Sequence, residues 1–186
     1  MINKTFLICE LFILITATCA CSKTYCSSGI VRDSTFVELG YFGGKDKCGN
    51  YYQKLYYYPR YLITTWMEAR SFCKSYDMAL ATFRTLEEAT SVINMVEKNI
   101  DLGTRDNLWV FIDGTTLTPR SPTDWYWTDT GDKIDFLMPW LPTQPDTNSY
   151  REFFLSIGRH KKTQRVGFND IPGTNFYNTF LCQKYV

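Results

Sequence analysis

Between Trp140 and Asp170 the chain carries a set of side chains that end in oxygen: Gln144, Asp146, Glu152, Asn169 and Asp170. Carboxylates mixed with amides are the donors that a hard divalent cation such as calcium prefers. The three carboxylates in this set would leave a bound Ca2+ close to neutral. The run Trp140-Leu141-Pro142-Thr143-Gln144-Pro145-Asp146 adds a backbone device. Pro145 restricts its own φ and can take a cis peptide bond at modest cost, which would turn Gln144 and Asp146 toward the same side of a loop. Gln-Pro-Asp alone occurs in ordinary surface turns. With Glu152 and the run Gly167-Phe168-Asn169-Asp170 downstream, it becomes a constellation.

Such a constellation needs a framework. At 186 residues the chain suffices for one domain, or one domain with an appendage, and for a substantial core. A net charge of +1 argues against nucleic acid as the main partner. Residues 1–20 read as a secretory signal peptide: Lys4 in a polar start, an apolar run over 6–17 interrupted by Glu10, and the small residues Thr18 and Ala20 before a cleavage site. The alternative is a membrane anchor, but the run falls short of the ~20 apolar residues that span a bilayer. A secreted, extracellular protein with no membrane segment is expected.

Cleavage after Ala20 leaves Cys21, Cys26, Cys48, Cys73 and Cys182. In an oxidising compartment these are disulfide candidates, and the odd number leaves one over. Zinc is disfavoured, since there is no Cys-x-x-Cys and His160 is the only histidine.

Residues 21–48 read as a loosely structured, cysteine-containing arm, and 49–186 as the folded domain. The tyrosine-rich run Tyr51-Tyr52-Gln53-Lys54-Leu55-Tyr56-Tyr57-Tyr58 suits one or two strands, its rings serving core and interface rather than a ligand platform. Thr65-Trp66-Met67-Glu68 has the form of a capping box, and Trp66, Ala69, Phe72, Cys73 and Tyr76 follow at helical spacing. After Met78-Ala79-Leu80-Ala81 the device recurs at Thr85-Leu86-Glu87-Glu88, with Ala89, Val92, Ile93, Val96 and Ile100 as the stripe of a second helix. From Leu108 the helical period gives way to short β-type runs, separated by a long stretch rich in Pro, Asp, Thr and Gly over 113–150. Loops of that size inside a compact domain are functional or disordered.

Several of these runs resemble the C-type lectin-like domains. Trp66-Met67-Glu68-Ala69-Arg70-Ser71-Phe72-Cys73 is similar to that family's first helix, and Met78-Ala79-Leu80-Ala81 to the strand after it. Leu108-Trp109-Val110 resembles its aromatic core strand, and Phe180-Leu181-Cys182 its closing strand. Trp125-Tyr126-Trp127-Thr128-Asp129-Thr130-Gly131 and Trp140 resemble its long-loop landmarks. The resemblance implies an α+β fold, with two helices flanking small antiparallel sheets and a long calcium-binding loop. It also implies a disulfide between Cys73 and Cys182.

By the same resemblance, Gln144-Pro145-Asp146 stands where the family places its sugar-selecting tripeptide, in the version that accompanies galactose-type ligands. Glu152, Asn169 and Asp170 complete the implied set that binds Ca2+ and sugar together, and Tyr150 is the nearest ring to pack on galactose. The family's loop disulfide falls on Phe154 and Gly173, so its cysteines are absent together, and Phe168 replaces a motif tryptophan. The segment Arg159-His160-Lys161-Lys162, with Arg165, reads as a solvated hairpin tip or an anion-binding patch. The expected function is a secreted calcium-dependent lectin for galactose-type carbohydrate, the rival a C-type lectin-like module for a protein partner without sugar. An enzyme is not expected: His160 has no Ser or Cys partner at motif spacing, and the carboxylates are accounted for as ligands. The odd cysteine allows a disulfide-linked dimer through Cys21 or Cys26.

Overall fold

The computed structural model describes residues 35–60, 63–102, 108–116, 124–146, 152–174 and 178–186. The signal segment, Cys21, Cys26 and Tyr150 lie outside these.

Strands β1 (Phe36–Lys45) and β2 (Tyr51–Pro59) form an antiparallel hairpin. Residues up to 48 read from sequence as a loose arm; here that expectation is corrected, because Phe36–Lys45 is paired along its length with β2. The strand escaped detection for a physical reason. Its buried residues Phe36, Leu39 and Phe42 recur every third position, because a bulge between Glu38 and Gly40 shifts the pleat. Gly40 takes φ +147° there, where a side chain would be strained.

Helix α1 (Trp66–Ser75) begins as expected, with Thr65 and Glu68 closing a full capping box, and it buries Trp66, Ala69 and Cys73. Helix α2 (Leu86–Asn99) buries Ala89, Val92, Ile93 and Val96. Its start departs from the sequence expectation. Thr85 accepts from the Glu88 N–H at 3.1 Å, but the Glu88 carboxylate does not reach back to Thr85. It accepts instead from the Arg84 N–H, one residue earlier, at 2.5 Å, and reaches into the core onto Lys54 and the hydroxyls of Tyr52 and Tyr56.

The remaining strands are β3 (Ala79–Leu80), β4 (Val110–Thr116), β5 (Trp125–Tyr126), β6 (Glu152–Arg159), β7 (Val166–Pro172), β8 (Thr179–Phe180) and β9 (Cys182–Tyr185). One sheet has the order β1-β2-β9-β3; the other runs β5-β4-β6-β7, with β8 parallel to β4. Strand β4 separates two cores, and its alternation decides which residue enters which. Val110 and Ile112 join Phe83, Val92, Trp125, Leu155 and Phe168, while Phe111 joins Trp66, Leu80, Ile171 and Phe180. Each fully buried side chain of this size stabilises the fold by about 1.5–3 kcal/mol. The Cys73–Cys182 disulfide fastens α1 to β9 across a sequence separation of 109.

Candidate metal centre

The site is assembled at one end of the β6–β7 hairpin. Glu152 begins β6 opposite Pro172, and Asn169 and Asp170 lie on β7 opposite Ser156 and Leu155. The third contributor arrives from the long loop, which is fastened to β7 immediately before the Asn-Asp pair. Phe168 donates its N–H to the Pro139 carbonyl and its own carbonyl accepts from the Leu141 N–H, both at 2.9 Å. Gly167 makes this approach possible, since a Cβ there would stand 2.6 Å from the Pro139 oxygen. Phe168 is fully buried, 5.8 Å from the Phe83 ring and edge-on to Trp140. An apolar ring at this position therefore serves the core beneath the site.

Beyond Leu141 the chain turns sharply. Thr143 adopts φ 70°, unusual for a β-branched residue. Gln144 then donates its N–H to the Leu141 carbonyl at 3.0 Å, and the Gln144–Pro145 peptide bond is cis. Gln144 and Asp146 do face the same side of the turn. The Asp146 N–H donates to Gln144 Oε1 at 3.0 Å, and Gln144 Nε2 to Asp146 Oδ2 at 3.4 Å.

This arrangement brings Asp146, Glu152 and Asp170 together, one carboxylate oxygen of each lying within 4.8 Å of the others. Asp170 is 2% exposed; Asp146 and Glu152 are half-buried. Asn169 precedes Asp170 on β7, its amide donating to the Asp170 carbonyl at 3.1 Å. Three negative charges at such separation repel strongly in a partly buried setting, and a divalent cation among them reverses the sign of that interaction. The donors are carboxylates with the Gln144 amide bonded to Asp146, oxygen chemistry that fits calcium.

Two supporting contacts were not foreseen from sequence. One is Pro139 on Gly167; the other is Phe154, whose ring covers Gly173. Both depend on a glycine at a close approach, and a glycine in a strand-like run is the signal that could have pointed to them.

A scan of protein-family models finds no match to the chain. Solved structures do match. The C-type lectin domain of murine dendritic cell inhibitory receptor 2, solved in complex with N-glycan, is 20% identical with a TM-score of 0.55, covering 72% of this chain and 91% of that one. The fold is that of the C-type lectin-like domains. Herring type II antifreeze protein shares it at 25% identity and TM-score 0.53, again over 72% of this chain and 91% of that one. So does the carbohydrate-recognition domain of mouse scavenger receptor C-type lectin, at 22% identity and TM-score 0.51, over 70% and 87%. These neighbours are two lectin domains and an antifreeze protein. The expected architecture, two helices with antiparallel sheets, is the one observed.

Proposed function

We propose that this C-type lectin-like domain is a secreted, calcium-dependent carbohydrate-binding protein of the galactose type. The convergence of Asp146, Glu152 and Asp170 within 4.8 Å, from three separate stretches of chain, carries the reading. Gln144, Asp146, Glu152, Asn169 and Asp170 would hold the ion. An ion held there would, when bound, attract the lone pairs of two neighbouring sugar hydroxyls. The chain's own groups divide the rest: carboxylates accept the hydroxyl protons and the amides of Gln144 and Asn169 donate to the hydroxyl oxygens. Because the amide precedes the carboxylate in Gln144-Pro145-Asp146, the order of donor and acceptor suits galactose by the family pattern. The glycan-bound murine neighbour supports carbohydrate as the ligand class. The signal-like residues 1–20 support secretion.

Calorimetry with calcium, followed by galactose and mannose titrations, tests the proposal. Heat on calcium addition and preferential galactose binding are expected. Asp170→Ala should remove both without unfolding the domain, and exchanging Gln144 for Glu with Asp146 for Asn should shift preference toward mannose. A chain with no calcium heat at millimolar ion would instead be a module for a protein partner, a reading favoured by the absent loop cysteines. Linkage through Cys21 or Cys26 into a dimer belongs to the same proposal. A single monomer band on non-reducing electrophoresis removes it.

A further inference from the structure

We propose that the tip of the β6–β7 hairpin is a second, calcium-independent binding surface, whose partner is a sulfated polysaccharide. Arg159, His160, Lys161, Lys162 and Arg165 fall within residues 159–165, and no carboxylate interrupts them. Since the whole chain balances at +1, the concentration is local. Among the described residues, several other cations sit beside carboxylates: Lys47 on Asp135, Arg84 on Asp46, Lys133 on Asp124 and Lys184 on Asp77. At the hairpin Glu97 of α2 meets Arg159 at 3.3 Å, and Lys162 and Arg165 stand exposed.

The tip has a defined shape. His160 donates its N–H to the Arg165 carbonyl and accepts at its own carbonyl from Gln164, both at 2.8 Å. The Gln164 side chain donates to the Lys161 carbonyl at 2.6 Å, and the Arg159 guanidinium to the Gln164 carbonyl at 3.0 Å. His160 Nδ1 accepts from the Thr163 N–H at 3.2 Å. The carbonyls of His160, Lys161 and Arg165 are thereby engaged within the turn, and of the cations Arg159 is held by the Gln164 carbonyl. Less rotamer and backbone freedom is left to lose on binding.

A polymer with repeated, permanently ionised sulfates can meet several fixed ammonium and guanidinium groups at once. Residues 159–165 contain no Phe, Tyr or Trp to stack a nucleic-acid base and no aliphatic side chain to enter a bilayer. Arg159 and Glu152 stand at opposite ends of β6. At the usual rise of a strand they are roughly 23 Å apart, beyond the reach of one sugar unit and within that of a polysaccharide. The inference rests on the proposed function for its extracellular, glycan-rich setting; the surface itself uses none of the calcium-site residues.

The experiment is retention of the whole secreted chain on immobilised heparin in the presence of a calcium chelator, beside a desulfated heparin column, with elution by salt. Retention on the sulfated column alone is expected. Lys162→Glu with Arg165→Glu should weaken it by about tenfold or more. A milder Lys162→Gln with Arg165→Gln pair should fall between that variant and the wild type, and Asp170→Ala should leave retention unchanged. Equal retention on both columns, elution of the charge-reversed variant with the wild type, or tighter binding to duplex DNA or phosphatidylserine vesicles at equal salt would each overturn the proposal. Galactose binding in calcium by the charge-reversed variant separates the two readings: its loss from Asp170→Ala alone leaves the hairpin standing, and the converse leaves the calcium site standing.

Discussion

The Phe154 ring packs against the bare Cα of Gly173, where a Cβ would stand 2.4 Å from the ring's Cε2. The same ring is 4.5 Å from the Trp66 indole, and the Gly173 carbonyl accepts from the Trp66 N–H at 2.9 Å. Strand β6, the end of β7 and the start of α1 are locked together at the pair of positions where the family resemblance implies a disulfide. An aromatic ring on glycine thus ties down the strands that carry Glu152 and Asp170. Gly173→Ala should cost about 1–3 kcal/mol by overpacking. Urea unfolding reads that loss, and a weaker calcium affinity by calorimetry should accompany it.

Calcium should stabilise the domain through mass action. At a free concentration of about 100 times the dissociation constant the gain is about 2.7 kcal/mol. Thermal unfolding with calcium and with chelator measures it as a shift in Tm. Asp170→Asn should abolish the shift. In chelator the variant should melt no lower than the wild type, because one of three mutually repelling charges is gone. A calcium shift that survives in Asp170→Asn would place the ion elsewhere.

The Lys54–Glu88 pair, fully buried with Nζ 3.0 Å from Oε1, should be costly to break from one side only. Glu88 also accepts from the hydroxyls of Tyr52 at 3.0 Å and Tyr56 at 2.6 Å, and Lys54 donates to the Thr82 carbonyl at 2.8 Å. Lys54→Met leaves a buried carboxylate without its cation and should destabilise by about 3–5 kcal/mol. Adding Glu88→Gln should recover part of that loss, and a double-mutant cycle by chemical denaturation gives the coupling.

Alkaline pH should weaken the fold through the same cluster. Burial, and then the Glu88 carboxylate beside them, hold the hydroxyls of Tyr52 and Tyr56 well above the ordinary tyrosine value of 10.0. In the unfolded chain both ionise near that ordinary value, so above it the folded state binds more protons and stability falls as pH rises. Below it the contribution is fully present. Unfolding midpoints across pH 9 to 12, read beside tyrosinate absorbance, should show these two rings ionising only as the domain unfolds; ionisation in the folded state would sink the idea.

Both helices and the donor residues were legible in the chain because their signals are local. Thr65 and Glu68 close their box within one turn, the stripes of α1 and α2 follow the 3.6-residue period, and Gln144-Pro145-Asp146 carries its geometry in adjacent residues. Local chemistry could not say where the Glu88 carboxylate would go. That carboxylate accepts from the Arg84 N–H, one residue before the N-cap, and also meets Lys54 and two tyrosine hydroxyls brought by another strand. Nor could it disclose β1, whose spacing of buried residues makes sense only with the bulge against β2. The meeting of Asp146, Glu152 and Asp170 was decided by tertiary structure alone. It depends on the register of β6 with β7 and on the 139–141 segment docking at Gly167. Residue types set which cation such a site prefers; only the pairing of distant segments sets whether the carboxylates stand close enough to hold one.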